Sequence, residues 1–179
     1  MKARVLDLGV ARAYHARARG VATMQLANGL ASFDFDPATG SLVQIRDLRS
    51  GIAYLSDPRE GRLFRLFAPD PEEWIDRYVD SHEAGRPEMG LEGATLVIRW
   101  RNLSIGTGRL DGRTGSGIGA TVRVTLPAGD GEARFSLELA HDGPHTICEA
   151  HFPWVGGWHG FTGDRGTIDL DGDLAAGDA

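Results

Sequence analysis

The side chains best suited to chemistry in this sequence lie in one stretch, residues 145–160. This stretch holds the single cysteine, three of the six histidines and two of the four tryptophans. Within it, Glu149 and His151 stand two residues apart, a spacing that places both side chains on one face of a β-strand. A carboxylate beside an imidazole orients the ring for proton transfer, so the pair predicts catalytic acid–base chemistry. The alternative is a polar pair on a solvated strand face.

Aromatic side chains close this stretch around a pair of glycines. Trp154, Trp158 and His159 flank Gly156 and Gly157. Flat rings with polar tips suit stacking on sugar rings, and glycines let a ligand approach the backbone closely. Trp154, Trp158 and His159 are therefore predicted to bind carbohydrate. The alternative is that the indoles fill one end of the fold or an interface.

Metal and thiol chemistry are less favoured interpretations of the same stretch. His145, His151 and His159 fall within fifteen residues, but a proline and the glycine pair separate them. We therefore expect no metal site and no cofactor. Cys148 is predicted to be an inert buried thiol, since a reactive cysteine needs an exposed, electropositive setting.

A continuous strand through residues 145–152 would divide its side chains between two faces. The residues predicted to face the core are Thr146, Cys148, Ala150 and Phe152. The residues predicted to face away from it are His145, Ile147, Glu149 and His151.

Composition excludes several classes of function. The net charge of −6 argues against a general nucleic-acid binder, because such a protein needs a basic surface. A single cysteine rules out an internal disulfide framework and a cysteine-based zinc site. The sequence has no apolar run long enough to cross a membrane, and the first twenty residues lack a signal peptide's apolar segment. We therefore expect a soluble, cytoplasmic protein with neither a nucleic-acid nor a membrane partner.

The rest of the chain predicts the short strands that must position this stretch. Alternating segments are separated by Gly, Pro and Asn-Gly turns, and 25 glycines fit many turns. The clearest segments, 120–126 and 133–140, predict a hairpin with one dry face. Its predicted core residues are Val122, Val124, Phe135, Leu137 and Leu139. Residues 68–90, rich in Pro, Asp, Glu and Gly, are predicted to form a long loop.

These elements together predict an all-β protein, an antiparallel β-sandwich with little helix. A chain of 179 residues favours a single domain. We divide it into an N-terminal arm over residues 1–20, a β-sandwich domain over residues 21–168 and an acidic tail over residues 169–179.

Five short motifs along the chain carry a family resemblance. They are Asn28-Gly-Leu-Ala-Ser-Phe-Asp-Phe, Thr39-Gly-Ser-Leu-Val-Gln-Ile-Arg-Asp, Ser50-Gly, Thr95-Leu-Val-Ile-Arg-Trp and Cys148-Glu-Ala-His-Phe-Pro-Trp-Val-Gly-Gly. Residues 21–160 as a whole resemble the N-terminal β-sandwich domain of large glycoside hydrolases, which is of the galactose-mutarotase-like supersandwich type. In that family the domain precedes a catalytic barrel and helps to frame its sugar cleft. The resemblance implies carbohydrate as a ligand and a catalytic barrel domain or subunit as a partner.

Three hypotheses about function follow. The first is a carbohydrate-active β-sandwich associated with a glycoside hydrolase and contributing to sugar recognition. The second is a stand-alone sugar epimerase or lyase with Glu149 and His151 as acid and base. The third is a structural or assembly domain whose aromatic edge is a protein interface. An open sheet edge needs cover, so we also expect a homo- or hetero-oligomer.

Overall fold

The protein is described by a computed structural model, and it is built from strands. The described residues are 12–18, 21–55, 61–69, 77–106, 113–142, 145–154, 166–168 and 174–176. Within them every strand pairing is antiparallel, and the one helix is a short 3-10 turn, Ser81–Glu83. No helix in these ranges has the length and apolar character needed to cross a membrane. The predicted all-β, antiparallel fold with little helix is therefore confirmed.

The described part of the chain contains fifteen strands. In chain order they are β1 (Arg12–Ala18), β2 (Val21–Ala27), β3 (Ala31–Phe35), β4 (Leu42–Asp47), β5 (Arg65–Phe67), β6 (Tyr78–Asp80), β7 (Glu88–Glu92), β8 (Thr95–Trp100), β9 (Ser104–Gly106), β10 (Arg113–Gly115), β11 (Ile118–Thr125), β12 (Arg134–His141), β13 (Glu149–His151), β14 (Gly166–Ile168) and β15 (Leu174–Ala176). β1 lies in the predicted N-terminal arm, and β15 lies in the predicted acidic tail.

Two four-stranded sheets form the main layers. The first is a meander with the strand order β1-β2-β3-β4, and the second has the order β12-β11-β8-β7. A three-stranded sheet has the order β13-β5-β6, and two ribbons pair β9 with β10 and β14 with β15. The short β13 thus lies at a sheet edge, which leaves its residues partly uncovered.

The turn after β2 ties the first sheet to the second. Asn28 accepts the backbone N–H of Ala31 at 3.1 Å through its side-chain oxygen. Its side-chain nitrogen donates to the carbonyls of Pro127 and Asp130, both at 2.6 Å. Gly29, with a φ of 86°, takes the left-handed conformation that this turn requires. The Asn-Gly pair therefore makes both a hairpin turn and a contact between sheets.

The two four-stranded sheets pack through their apolar faces. The rings of Phe33 and Phe135 meet edge to face at 6.2 Å. At Gly40, whose φ is +76°, a Cβ atom would lie only 2.5 Å from the ring of Trp100. Strands contributing apolar faces in this way are typical of a β-sandwich. Fully buried residues of the two sheets include Leu26, Phe35, Leu42, Leu96, Ile98, Val122 and Val124.

The three-stranded sheet joins the same core. Leu66 and Val79 are fully buried in it, and the ring of Phe64 meets that of Trp100 edge to face at 5.2 Å. One face of this small sheet is therefore fixed by the core, and the other is left to carry polar side chains.

The prediction of a long loop over residues 68–90 is wrong in two places. Tyr78–Asp80 forms β6, and Glu88–Glu92 forms β7. Both strands are specified by their neighbours, since β6 pairs with β5 and β7 pairs with β8. Cross-strand pairing overrides a composition that by itself favours loop.

The predicted orientation of the β11–β12 hairpin is confirmed. Val122 and Val124 are fully buried, and Phe135, Leu137 and Leu139 pack against the core while remaining partly exposed. The difference arises because β11 is a central strand and β12 is an edge strand.

Because central strands such as β8 are more deeply buried than the edge strand β12, truncating a leucine in each should cost different amounts of stability. Leu96→Ala, at a fully buried position of β8, should lower the free energy of unfolding by about 2–5 kcal/mol because it leaves a cavity. Leu137→Ala should cost clearly less, because solvent already reaches that side chain. Urea unfolding of both variants checks this, and equal losses would contradict it.

Candidate functional site

The three-stranded sheet has one buried and one outward face. Its middle row places Ala150 beside Leu66, and Leu66 beside Val79. Leu66 and Val79 are fully buried, whereas Ala150 lies at the edge and is exposed. Because side chains alternate along a strand, the rows on either side of this one point away from the core.

Two outward rows and one tryptophan make up this second surface. The first row is Glu149, Phe67 and Tyr78, and the second is His151, Arg65 and Asp80. Trp154 follows β13, and its backbone N–H donates a 2.9 Å hydrogen bond to the carbonyl of Leu63. This bond fixes the position of Trp154 beside the sheet. We call these seven residues the outer face: Phe67, Arg65, Tyr78, Asp80, Glu149, His151 and Trp154.

Arg65 lies at the centre of the outer face. Its Nε and Nη2 donate to the two carboxylate oxygens of Asp80 at 2.6 and 2.7 Å, a bidentate pair. Its guanidinium carbon is 4.9 Å from the ring centroid of Tyr78 and 4.6 Å from that of Trp154. These distances are within the range of cation–π contacts. A single cation thus holds a carboxylate and two aromatic rings in fixed positions.

Asp80 is a nearly buried charge with two cationic neighbours. The Nε of Arg62 lies 3.2 Å from Asp80 Oδ2, beside the bidentate contact of Arg65. Burial raises the pKa of Asp80, but the hydrogen bond from Arg65 and the charges of Arg65, Arg62 and His82 outweigh it and lower the pKa below its usual value. The same hydrogen bond raises the pKa of Arg65. Both groups are therefore charged at neutral pH.

The structure brings together Glu149, His151 and Trp154, three of the predicted site residues. His151 Nε2 is hydrogen-bonded to Glu149 Oε1. The imidazole also stacks on the indole of Trp154, with 5.1 Å between ring centroids and 19° between planes. The side chains of His151 and Glu149 are 44% and 61% exposed, so a ligand can reach both. An accessible, oriented imidazole can exchange protons with a bound hydroxyl group.

The other predicted site residues, Trp158 and His159, lie outside the described residues. His145 lies within them and is half-buried. Across the described ranges, no group of three or more His, Cys, Asp or Glu side chains is placed to hold a metal ion.

The predicted faces of residues 145–152 need correction. Thr146 and Cys148 were predicted to face the core, but both are exposed, while Ile147, predicted to face away, packs against the core. Ala150 does lie in the core-facing row, and it is exposed because β13 is an edge strand. The regular strand begins only at Glu149. The Cys148 N–H bonds to the carbonyl of Phe67, the residue that Glu149 faces, so the ladder is irregular there. Alternation therefore cannot be extended upstream.

Arg65, Asp80 and Tyr78 are not among the site residues predicted from the sequence. Arg65 falls in a run of apolar residues, and Tyr78 and Asp80 fall in the predicted loop. The signal was limited to an apolar central residue in each three-residue strand, Leu66 in Arg65-Leu66-Phe67 and Val79 in Tyr78-Val79-Asp80. Three residues are too few for periodicity to separate a strand from a turn.

Elsewhere, a concave pocket of about 180 Å³ lies against the first sheet, lined in part by Phe33, Arg46 and Tyr54. It is smaller than the roughly 300–1,000 Å³ typical of small-molecule sites. It also contains no residue of the outer face, which is the better candidate for a ligand.

The Arg65–Asp80 pair predicts a pH-dependent contribution to stability. Asp80→Asn should lower the free energy of unfolding at about pH 7 by about 1.5–3 kcal/mol, because Arg65 loses a charged partner. The pKa of Asp80 is lowered in the folded state, so this contribution is complete above the ordinary carboxyl pKa of about 3.9 and fades as the pH falls through the folded value. Urea unfolding of wild type and variant from about pH 7 to about pH 3 measures it. A difference that grows on acidification would contradict the assignment.

Comparisons with known proteins do not identify the chain. No protein-family model matches the sequence, and no curated protein matches it. The resemblance to a glycoside-hydrolase β-sandwich domain therefore stays a prediction based on five short motifs. The chain is an all-β protein whose outer face combines aromatic rings, a fixed cation and an exposed carboxylate–imidazole pair.

Proposed function

We propose that this chain is a carbohydrate-binding β-sandwich domain or subunit associated with a glycoside hydrolase, and that its outer face contacts the sugar. The observation that carries the proposal is the placement of two aromatic rings, Tyr78 and Trp154, against one guanidinium, that of Arg65. Tyr78 is 46% exposed, and Trp154 is half-buried. Sugar rings have apolar C–H faces that can stack on the exposed ring of Tyr78 and pack against the edge of Trp154, whose ring already contacts Arg65 and His151. Their hydroxyl groups can bind the charged neighbours.

The proposed platform is organised before any ligand arrives. Arg65 contacts both rings and is itself fixed by Asp80. Side chains that are ordered in advance lose little conformational entropy on binding. Glu149 and His151, exposed beside the rings, supply an acceptor and a ring nitrogen for sugar hydroxyls.

The proposed partner is based on the sequence motifs, and the proposed location is based on Cys148. The supersandwich-type motifs support a catalytic barrel domain or subunit as the partner that would share the sugar. Cys148 is an exposed free thiol, and such thiols persist in reducing compartments, which supports the cytoplasm as the proposed location.

A second candidate is a stand-alone sugar epimerase or lyase. The hydrogen bond between His151 and Glu149 favours it. In this alternative the imidazole removes a proton from the substrate, while the carboxylate orients the ring and stabilises its charged form.

The platform is tested by removing its rings. Tyr78→Ala and Trp154→Ala should each weaken sugar binding by more than about tenfold, because aromatic anchors dominate small interfaces. Leu48→Ala is the matched control, since Leu48 is also an exposed apolar residue, at 41%, but lies outside the outer face. Calorimetry with a panel of mono- and oligosaccharides provides the measurement. The proposal fails if wild type binds none of them, or if both folded ring variants bind as wild type does.

Glu149→Gln separates binding from catalysis. Under the binding proposal the variant should keep its affinity within about threefold, because the amide oxygen still accepts hydrogen bonds. Under the enzyme alternative wild type should convert a sugar of the panel, and the variant should lose that turnover. Nuclear magnetic resonance of each sugar incubated with wild type and variant distinguishes the two. Turnover by wild type that Glu149→Gln abolishes would replace the binding proposal with the enzyme alternative.

A further inference from the structure

Strand β12, Arg134–His141, is an edge strand of its four-stranded sheet in the part of the chain that the structure describes. In the ranges that the structure describes, β11 is its one strand partner. The register between them continues to a 3.0 Å hydrogen bond from the Asp142 N–H to the Gly117 carbonyl. Hydrogen-bonded residues alternate with outward-directed residues in an antiparallel ladder. The residues whose N–H and C=O groups point away from β11 are therefore Phe135, Leu137, Leu139 and His141.

The same strand carries an incompletely covered apolar strip. The side chains of Phe135, Leu137 and Leu139 pack against the core but stay partly exposed. On the other face, Arg134, Ser136 and Glu138 are exposed. An eight-residue edge with free backbone groups and apolar side chains is a template for pairing with another strand.

We propose that two copies of this chain pair through β12, antiparallel, about a two-fold axis at Ser136. Phe135 then lies opposite Leu137 of the second copy, and these outward-directed residues exchange backbone hydrogen bonds. The two four-stranded sheets become one continuous sheet, and the apolar strips cover each other. The pairing is independent of what the outer face binds.

Charge selects this register over its neighbours. A two-fold axis at Ser136 sets Arg134 of each copy opposite Glu138 of the other, on the exposed face. An axis at Leu137 would set Glu138 opposite Ser136, and an axis at Glu138 would set two carboxylates together. Opposite charges directly across a strand pair stabilise it, and like charges destabilise it.

The charged groups are available for this contact. Glu138 Oε2 accepts from Arg123 at 3.0 Å, which leaves its second oxygen free for another cation. No ion pair of Arg134 occurs among the residues that the structure describes.

The opposite edge of the sheet, β7, is unsuited to the same pairing. Self-pairing about Gly90 would set Glu88 opposite Glu92 of the second copy, which is a contact between like charges. Glu88 is already paired with Arg101 and Glu92 with Arg99. Pairing at one edge alone gives a closed dimer, whereas pairing of β7 with β12 would give an open filament.

Charge reversal tests the dimer. The full chain should sediment as a dimer by analytical ultracentrifugation. Arg134→Glu alone and Glu138→Arg alone should each raise the dimer dissociation constant by more than about tenfold, because each places like charges opposite each other twice. An equimolar mixture of the two variants should dimerise again, because every charge at these positions then faces its opposite.

Cross-linking tests the register. A two-fold axis at Ser136 makes that residue face itself in a non-hydrogen-bonded pair, with about 4.5 Å between Cα atoms, which suits a disulfide. In a Cys148→Ser background, Ser136→Cys should therefore give a disulfide-linked dimer on mild oxidation. Ala140→Cys, on the same exposed face but away from the axis, should not.

Two outcomes would overturn the inference. One is a wild-type chain that stays monomeric at every concentration tested. The other is a dimer that the charge reversals leave intact and that Ser136→Cys fails to cross-link. Circular dichroism of each variant confirms that its fold is retained.

Discussion

The bidentate contact between Arg65 and Asp80 organises the corner on which the candidate site depends. It joins β5 to β6 and brings the guanidinium against Tyr78 and Trp154. The next residue, Ser81, is fully buried and accepts the Leu63 N–H at 2.7 Å through its hydroxyl. Removing the carboxylate would leave a partly buried cation without its partner, so the pair adds to the backbone bonds that fix β5 against β6.

Those parts of the fold that depend on local patterns could be predicted from the sequence. The structure of β11, of β12 and of the Asn28-Gly29 turn is determined by patterns within a few neighbouring residues. β6 and β7 could not be predicted in this way, because their pairing with β5 and β8 is a property of distant segments. The composition of these two segments predicts a loop, but pairing with β5 and β8 makes them strands.

The residues of the candidate site also fall into those that a local pattern predicts and those that only distant pairing brings together. Glu149 and His151 could be paired from their two-residue spacing, and the hydrogen bond between them is present. Arg65 and Asp80 are distant in sequence, and only the register of β5 with β6 sets them side by side. The prediction for Cys148 failed because strand alternation was extended through residues where the ladder is irregular.

The absence of a side chain at Gly40 has a mechanical consequence. The turn at Gly40 packs so closely against the ring of Trp100 that there is no room for a side chain between them. Trp100 is held in turn by a hydrogen bond from its indole to the Gly85 carbonyl at 3.1 Å, and its ring abuts Phe64, the neighbour of Arg65 in the chain. A side chain at residue 40 would therefore have to displace the Trp100 ring, which contacts Phe64, the residue before Arg65 of the outer face. A larger side chain at residue 40 would push the first sheet away from Trp100 of the second sheet, although residue 40 itself does not belong to the outer face.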